Sequence, residues 1–444
     1  MARAVKPFEV THWSVIAIAW PTTLAFLSTP LLGLVDMAVV GRLGSPAMIG
    51  GLAVGAILFD IIFTTFNFLR ASTTGLVAQA VGAQNDAMQK LVLIRSLLLS
   101  VLLGMIPLAI SPFILSSGLW AMEVTPAVAA ATSEYFSIRI LAAPLTLINY
   151  SALGWMLGRA QAGLALVLQS VLNGTNIVLS VYLGLHLEMG LAGVGWATVI
   201  AEAIAVMLGL TLVWRAWRGS PAVTISDILD RSAIIKMLAV NRDIMIRSFV
   251  LLFTFAFITA QGARFGELTL AANAVLLNFF MFGGFLLDGF ATAAEQLAGR
   301  GLGANYRPAF DRAVRLSVFW GFVLAIIATI VFWFGGPYLI DFLTTDSAVR
   351  SEARTYLFWA AITVLLGNLA FQMDGVFIGA TWSVEMRNMM ILSLIAFLAV
   401  WWIAVPLIGN HGLWLALEVF LSIRGITLLA RLKTKADQSF DTAA

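Results

Sequence analysis

Asp36 is the residue whose type and position most clearly suggest chemistry in this chain. It is the single acid in the run PTTLAFLSTPLLGLVDMAVVG, Pro21–Gly41, which contains no Lys or Arg. An ionised Asp near the centre of a membrane span costs about 2.5 to 3.5 kcal/mol, so such acids usually face a cavity, a partner or a proton path. Removal from water favours the uncharged carboxyl, which suits proton exchange near neutral pH. A hard cation such as sodium also prefers oxygen ligands, and the pattern alone does not choose between the two ions.

Polar residues accompany this acid at helical spacing. Four of them stand at i, i+4, i+7 and i+11 and therefore share one helix face: Gln169, Asn173, Asn176 and Ser180. Thr198 and Glu202 are one helical turn apart. Two interpretations stay open, because such side chains either hydrogen-bond neighbouring helices or line a polar cavity. The candidate members of a cavity in the first half are Thr29, Asp60, Asn67, Gln169, Asn173 and Glu202.

The second half of the chain contains three further candidate acids. Asp288 and Glu295 share one face of a predicted helix, and Asp374 precedes Gly375. Each is a candidate for cation binding, and each has the alternative of pairing with a nearby Arg or a helix end.

The elements that position these residues are membrane helices. Apolar residues make up 61% of the 444 and charged residues 11%, and the mean hydropathy is +0.96. This composition is typical of a polytopic membrane protein, because a span needs about 20 apolar residues. We predict an all-α protein with twelve spans, over 13–41, 48–80, 92–118, 133–158, 162–185, 190–215, 244–265, 269–299, 312–335, 350–380, 387–408 and 411–430. Pro21, Pro30, Pro107 and Pro144 are candidate kink sites.

The chain repeats itself after about half its length. A shift of about 221 positions places Gly154 and Gly158 on Gly375 and Gly379, and Tyr135 on Tyr356. We therefore predict two six-helix lobes in a parallel repeat, because an even number of spans separates corresponding elements. The predicted domains are an amino-terminal lobe over 1–213, a cytoplasmic linker over 214–243, a carboxyl-terminal lobe over 244–433 and a cytoplasmic tail over 434–444.

Basic residues orient the predicted spans. Most of the 26 Lys and Arg residues, including Arg3, Arg247 and Arg424, fall on one side, and a few, including Arg139, fall on the other. This distribution predicts a multi-pass protein of the cell (inner) membrane with both termini in the cytoplasm. The net charge of +3 is scattered over several segments rather than gathered in one patch, so we expect no nucleic-acid partner.

Catalytic motifs are missing from the sequence. No Gly-Lys dipeptide occurs, which excludes a Walker A loop within this chain. The three His residues fall at span ends without metal-ligand spacing, and there is no Cys. We therefore expect a protein that is not an enzyme, without catalytic residues, a bound metal or a cofactor other than a coupling ion.

Four segments carry a family resemblance over essentially all twelve spans. They are STPLLGLVDMAVVGRLG, NFLRASTTGLVAQAVGAQN, TNIVLSVYLGLHLEMGLAGVGWATVIAEA and QMDGVFIGATWSVEMRNMM. Together they resemble the multidrug and toxic compound extrusion (MATE) family, specifically its DNA-damage-inducible protein F (DinF) subfamily. The resemblance implies a V-shaped pair of six-helix lobes that exports organic, often cationic, compounds in exchange for protons or sodium by alternating access.

The resemblance also implies roles for individual residues. The family's first-helix acid matches Asp36, and its helix-bending proline matches Pro21. Its ion-site Asn and Thr match Asn176 and Thr198, whereas the acid common four residues after that Asn is replaced by Ser180. The loss of one carboxylate removes a negative charge that sodium would use. We therefore expect proton coupling, with Asp36, Asn176, Ser180 and Thr198 as the ion-coupling residues.

The leading hypothesis is a secondary multidrug antiporter in which protonation of Asp36 rearranges the amino-terminal lobe. Sodium coupling within the same family and a flippase for a lipid-linked substrate are the alternatives, and a non-transporting scaffold is a third. The expected partners are small organic drugs or toxic compounds and membrane lipids, and the expected oligomeric state is a monomer.

Overall fold

The computed structural model describes residues 5–441, so Arg3 and the last three residues of the predicted tail lie outside it. Within this range, twelve helical segments are long and apolar enough to cross a membrane. Six of these segments end at or before Ala216, and the other six lie from Ile225 onward. This confirms the predicted all-α architecture of twelve spans.

The helices of the first half are α1 (His12–Gly41), α2 (Pro46–Phe66), α3 (Phe68–Gly82), α4 (Asp86–Ala109), α5 (Ser111–Ala121), α6 (Pro126–Arg139), α7 (Ala143–Gly158), α8 (Ala162–Val181) and α9 (Gly190–Ala216). One non-α residue separates α2 from α3 within one span, and a 3-10 turn over Ile140–Ala142 joins α6 to α7 in another. A π-helical turn, Tyr182–His186, extends α8.

The helices of the second half are α10 (Ile225–Ile228), α11 (Arg231–Ala263), α12 (Glu267–Gly303), α13 (Arg307–Leu343), α14 (Ser347–Gly379), α15 (Ser383–Ile408) and α16 (Asn410–Asp441). Thr224 caps the short α10 in a capping box with Asp227. Helix α11 begins inside the predicted linker, and α16 extends into the predicted tail as far as Asp441.

Two predicted kink sites coincide with interruptions. Pro144 lies in the first turn of α7, directly after the 3-10 turn, and α4 ends two residues after Pro107. The third span is therefore Asp86–Ala109 and not 92–118. A new helix, α5, starts at Ser111 because Pro112 lacks the amide hydrogen that a continuing helix would need.

The chain forms two compact units. The amino-terminal unit comprises Leu24–Val77 and Asn85–Met237, and the carboxyl-terminal unit comprises Met1–Thr23, Ala78–Gln84 and Leu238–Ala444. The lobe boundaries predicted from the sequence stay a prediction.

Each unit uses the repeated glycines to bring two helices together. In the amino-terminal unit, a Cβ atom at Gly154 or Gly158 of α7 would meet the carbonyl oxygen of Arg70 or Thr74 in α3. In the carboxyl-terminal unit, a Cβ atom at Gly375 or Gly379 of α14 would meet carbonyl oxygens of α12. Small residues allow this close approach of membrane helices, so the sequence repeat corresponds to a repeated helix contact.

Apolar clusters complete both units. In the amino-terminal unit, the ring of Phe59 stacks on Phe136 at 4.9 Å and meets Tyr135 edge-on at 6.1 Å. This cluster includes Val39 and Val40 of α1, so it fixes the end of α1 that carries Asp36.

Candidate functional site

Asp36 lies at one end of a chain of hydrogen bonds in the amino-terminal unit. Oγ of Ser180 is 2.8 Å from Oδ1 of Asp36 and 3.0 Å from Oδ1 of Asn176. Nδ2 of Asn176 donates to Oγ1 of Thr198 over 3.1 Å. The chain links α1 to α8 and α9, and all four side chains are buried. The four residues predicted for ion coupling therefore meet in one network, while their role stays a prediction.

The helical spacing of α8 explains part of this geometry. Asn176 and Ser180 are four residues apart, so their side chains lie one above the other on the face toward α1 and α9. Thr198 donates its hydrogen to the carbonyl oxygen of Val194, which leaves its oxygen free to accept from Asn176. Each buried polar atom in this network thus has a partner, as buried polar groups require.

Ser180 has a single hydrogen for two acceptors. A hydroxyl donates one hydrogen bond, so Ser180 can donate either to Asp36 or to Asn176. When Asp36 is ionised, Ser180 donates to the carboxylate. When Asp36 carries a proton, Asp36 can donate to Ser180, and Ser180 can then donate to Asn176. The protonation state of Asp36 therefore sets the direction of the hydrogen bonds between α1 and α8.

Arg139 supplies a positive charge to this region. Its Nη1 donates to the Tyr135 hydroxyl over 2.6 Å, and its guanidinium lies 4.5 Å from the centre of the Phe59 ring. The guanidinium interacts electrostatically with Asp36, Asp60 and Glu202. The sequence placed Arg139 within the predicted span 133–158, on the side opposite the cytoplasm, but did not pair it with Asp36. The spacing of Tyr135 and Arg139, four residues apart near the start of an apolar run, was the signal for an internal role.

Glu202 is buried and held by α7. Oε1 accepts from Thr146 over 2.9 Å, and Oε2 accepts from Nδ2 of Asn149 over 2.5 Å. Burial disfavours the ionised carboxylate, whereas the contacts with Asn149 and Thr146 and the charge of Arg139 favour it.

The other candidate cavity residues are dispersed. Nδ2 of Asn173 donates to Ser28 of α1 over 2.6 Å. Asn67 accepts from Nε of Arg70 over 3.1 Å at the junction of α2 and α3. Thr29 and Asp60 are exposed and Gln169 is half-buried. The structure therefore joins Asn173 to α1, and it leaves Thr29 and Gln169 outside the Asp36 network.

Pro21 lies within α1, which is helical from His12 to Gly41 without a break. Its ring leaves the carbonyl of Ala17 without the usual amide donor. The bending role that the resemblance assigns to Pro21 stays a prediction.

The three acids of the second half gather around two arginines. Asp374 pairs with Arg247 at 2.9 Å and with Arg424. Asp288 and Glu295 also interact electrostatically with Arg247. Sequence reasoning placed both arginines at the cytoplasmic surface. They are instead in buried ion pairs, because an unpaired acid within these helices would be costly.

Sequence reasoning missed Glu418. This residue lies in α16, is 3% exposed, and contacts Thr363 of α14. The signal that singled out Asp36 was also present here, because Glu418 is the only charged residue in the run GLWLALEVFLSI.

Between residues 5 and 441, no three His, Asp or Glu side chains are grouped so that they could hold a metal ion. The expectation of a coupling ion as the only non-protein component stays a prediction.

The family model described as MatE matches residues 21–182 and 244–407. The chain belongs to the MatE family. This membership confirms the resemblance to the multidrug and toxic compound extrusion proteins. The two matched segments correspond to the two halves of the sequence repeat.

Relatives agree with the MatE assignment over the whole chain. DNA damage-inducible protein F of Escherichia coli (strain K12) is 37% identical over 427 residues, which are 93% of this chain and 90% of that protein. Probable multidrug resistance protein NorM of Acinetobacter baylyi is 24% identical and covers 94% of each chain.

Solved MATE structures share the fold. A MOP superfamily transporter from Pyrococcus furiosus superposes with a TM-score of 0.87 at 17% identity, over 96% of both chains. A MATE protein in the bent conformation gives a TM-score of 0.88 at 18% identity, over 97% of this chain and 96% of that one. This MatE chain is therefore a multi-pass membrane protein with a transporter fold.

Proposed function

We propose that this MatE protein is a secondary active multidrug efflux transporter that exports organic, cationic or amphipathic compounds by antiport with protons. The observation that carries the proposal is the hydrogen-bond chain from Asp36 through Ser180 and Asn176 to Thr198. Relatives named as multidrug resistance proteins support the substrate class. The chain contains no Walker A motif, so an ion gradient is the expected source of energy.

Protonation of Asp36 is the proposed coupling step. An extracellular proton neutralises Asp36, removes its attraction to Arg139 and reverses the hydrogen bond with Ser180. Because this network joins α1 to α8 and α9, its rearrangement changes how α1 is held. A proton drives transport only if its affinity differs between the inward-facing and outward-facing states. We propose that the arrangement in which Ser180 donates to Asp36 belongs to one of these states and the reversed arrangement to the other, which supplies this difference.

Two features favour protons over sodium. Asp36 is the only acid among the four residues of the hydrogen-bonded network, because Ser180 stands where the family resemblance implies a carboxylate. In addition, the guanidinium of Arg139 interacts with Asp36 and lowers the attraction of this region for a second cation. Sodium coupling is the second candidate, and it is favoured by the oxygen-rich surroundings of Asp36.

A lipid-linked substrate is the alternative to drug export. Such a substrate carries phosphate and would call for exposed basic residues in the membrane interior. Arg247 and Arg424 instead form ion pairs with Asp374.

We propose in addition that the protein acts as a monomer in the inner membrane with both termini in the cytoplasm, and that it binds no nucleic acid. The distribution of surface Lys and Arg supports this orientation.

The test is efflux of a fluorescent organic cation from proteoliposomes under an imposed proton gradient and, separately, an imposed sodium gradient. We expect proton-driven efflux that is abolished in Asp36→Asn, because the amide cannot exchange a proton. Asp346→Asn is the matched control, since Asp346 is an exposed helix N-cap that Asn replaces well. Efflux driven by sodium alone would contradict proton coupling. Transport of no cation by a folded protein under either gradient would favour the lipid-linked substrate.

A further inference from the structure

Glu418 is a buried acid that the mechanism above does not use. It lies on α16 among the apolar residues Leu417, Phe420 and Leu421 of the carboxyl-terminal core, and 3% of the residue is exposed. An ionised carboxylate in such surroundings requires a countercharge or several donors. The contacts of Glu418 show whether either is present.

The contact with Thr363 favours a protonated carboxyl. Oγ1 of Thr363 is 2.5 Å from Oε1 of Glu418 and 2.7 Å from the carbonyl oxygen of Trp359. Thr363 has one hydrogen and cannot donate to both oxygens. Both contacts are hydrogen bonds only if Thr363 donates to Trp359 and Glu418 donates to Thr363. Oε2 of Glu418 is buried and has no hydrogen-bond partner among residues 5–441.

Among residues 5–441, no basic residue on the helices packed around Glu418 is placed as its countercharge. On α16, Arg424 is six residues away and pairs with Asp374 of α14. On α12, Asp288 and Glu295 interact with Arg247, which also pairs with Asp374. Between Arg387 and Ile408, α15 has no charged residue. Toward one end of α14 and α16 lie Glu352, Tyr356 and His411, together with Arg350 and Arg354, which pair with Asp341. Toward the other end lie Glu385, which pairs with Lys435, and Arg387, which pairs with Asp243. The other charged residues of α12 and α16 also lie toward helix ends: Glu267, Arg300, Arg431, Lys433 and Asp437.

Glu202 shows the contrast. Its Thr neighbour, Thr146, likewise contacts a carbonyl oxygen, that of Ala142 over 3.2 Å, so the Thr geometry is the same in both pairs. The difference is that the second oxygen of Glu202 accepts from Asn149 and that Arg139 interacts with Glu202 electrostatically. The pairing of Thr and Glu thus occurs in both units, between α7 and α9 and between α14 and α16. Only the pair in the carboxyl-terminal unit lacks the additional donor and the charge.

A polar stripe connects Glu418 with the ends of α14 and α16. Four residues of α14 share one face, at spacings i, i+4, i+7 and i+11: Glu352, Tyr356, Trp359 and Thr363. The first three are partly exposed and Thr363 is buried. Nδ1 of His411, two turns from Glu418 on α16, accepts from Nε1 of Trp359 over 3.0 Å. Trp359 only donates, so the groups near this stripe that can take up and release a proton are His411, Tyr356 and Glu352.

We propose that Glu418 and Thr363 form a second proton-binding site, in the carboxyl-terminal unit, in which Glu418 holds a proton and exchanges it along the stripe from Thr363 to Glu352. This site is independent of the coupling assigned to Asp36. Proton exchange at Glu418 therefore changes the charge of the carboxyl-terminal unit without a change at Asp36.

Infrared difference spectroscopy of the full-length protein in liposomes tests the proposal. The C=O stretching band of a protonated carboxylic acid is measured at neutral pH for the unmodified protein and for Glu418→Gln. We expect the variant to lose one such band. Glu385→Gln is the matched control, because Glu385 pairs with Lys435 at 2.7 Å and is ionised in this account; it should lose a carboxylate band instead. Loss of a carboxylate band in Glu418→Gln would overturn the proposal.

Two further measurements test the proposal without relying on Glu418→Gln alone. Thr363→Val retains Glu418 but removes the acceptor of its proton, so the carboxylic acid band should shift to higher frequency. Titration to alkaline pH should then convert the band to that of a carboxylate in the unmodified protein, and His411→Ala with Glu352→Gln should slow this conversion. An unshifted band in Thr363→Val, or a band that never titrates, would contradict proton exchange at this pair.

Discussion

At the scale of single residues, the Ser180 hydroxyl is the connection between the charge of Asp36 and the rest of the network. Its oxygen is within hydrogen-bond distance of Asp36 and of Asn176, and it has one hydrogen for both. Compared with the acid that the family resemblance implies at this position, Ser180 therefore has two effects. It removes a negative charge, and it provides a group whose hydrogen bonds reverse when Asp36 is protonated.

Substitution of Ser180 tests this connection. Removal of a hydrogen bond to a charged group costs about 1.5 to 3 kcal/mol, so we expect Ser180→Ala to lower proton-driven efflux about tenfold or more. Ser180→Thr keeps the hydroxyl and should keep most of the activity. The measurement is the initial rate of efflux from proteoliposomes under a proton gradient. Ser180→Ala with an unchanged rate would show that the hydroxyl takes no part in coupling.

A carboxylate at the same position tests ion selectivity. Ser180→Asp restores the acid that is common in the family and adds a negative charge beside Asp36. We expect this variant to acquire sodium-dependent efflux, because two carboxylates and the amide oxygen of Asn176 offer a hard cation more oxygen ligands. Ser180→Asn, which matches Asp in size without its charge, is the control. Equal sodium responses in the two variants would mean that charge at position 180 does not select the ion.

The residues of the network were predictable to different extents. The polar face of α8 follows from the spacing of Asn173, Asn176 and Ser180, and Asp36 is conspicuous in its apolar run. Arg139 was not recognised as a neighbour of Asp36, because helical periodicity shows which residues share a face but not which helix that face meets. Pairing with a nearby Arg was one of the two alternatives predicted for Asp374, but its partners Arg247 and Arg424 could not be named, for the same reason.

At the scale of helices, the repeated glycines give a testable account of packing. Gly154 and Gly375 occupy corresponding places where α7 contacts α3 and α14 contacts α12. Overpacking of a close contact costs about 1 to 3 kcal/mol, so we expect Gly154→Ala and Gly375→Ala to lower the thermal stability of the purified protein. Gly174→Ala and Gly335→Ala are controls, because a Cβ atom at either position has nothing within 4 Å. A loss of stability as large in the controls would contradict the packing argument.

The ends of the helices were predictable only in part. All twelve spans follow from apolar runs, and the 3-10 turn before Pro144 follows from the missing amide of proline. An interruption near Pro107 was predicted, but a separate helix starting at Ser111 was not, since the apolar run continues through Ile110 and Pro112 without a polar residue other than Ser111. Hydrophobicity indicates that a segment is buried in the membrane, whereas the end of a helix depends on local backbone chemistry.

At the scale of the whole molecule, each unit contains a carboxyl group that contacts a hydroxyl, and that hydroxyl has one hydrogen for two neighbouring oxygens. In the amino-terminal unit the pair is Asp36 and Ser180, and in the carboxyl-terminal unit it is Glu418 and Thr363. Arg139 lies close to the first pair, and the second has no countercharge among the described residues around it. The two acids therefore differ in the form that their surroundings stabilise, and Asp36 is the one placed to change charge during transport.

The central claim is that Asp36 releases a proton when a substrate binds. The most direct measurement is the pH change in a weakly buffered solution of purified protein on addition of a transported organic cation, for the unmodified protein, Asp36→Asn and Asp346→Asn. We predict release of protons from the unmodified protein and from Asp346→Asn, and loss of that release in Asp36→Asn. Substrate binding that releases as many protons from Asp36→Asn as from the unmodified protein would contradict the account.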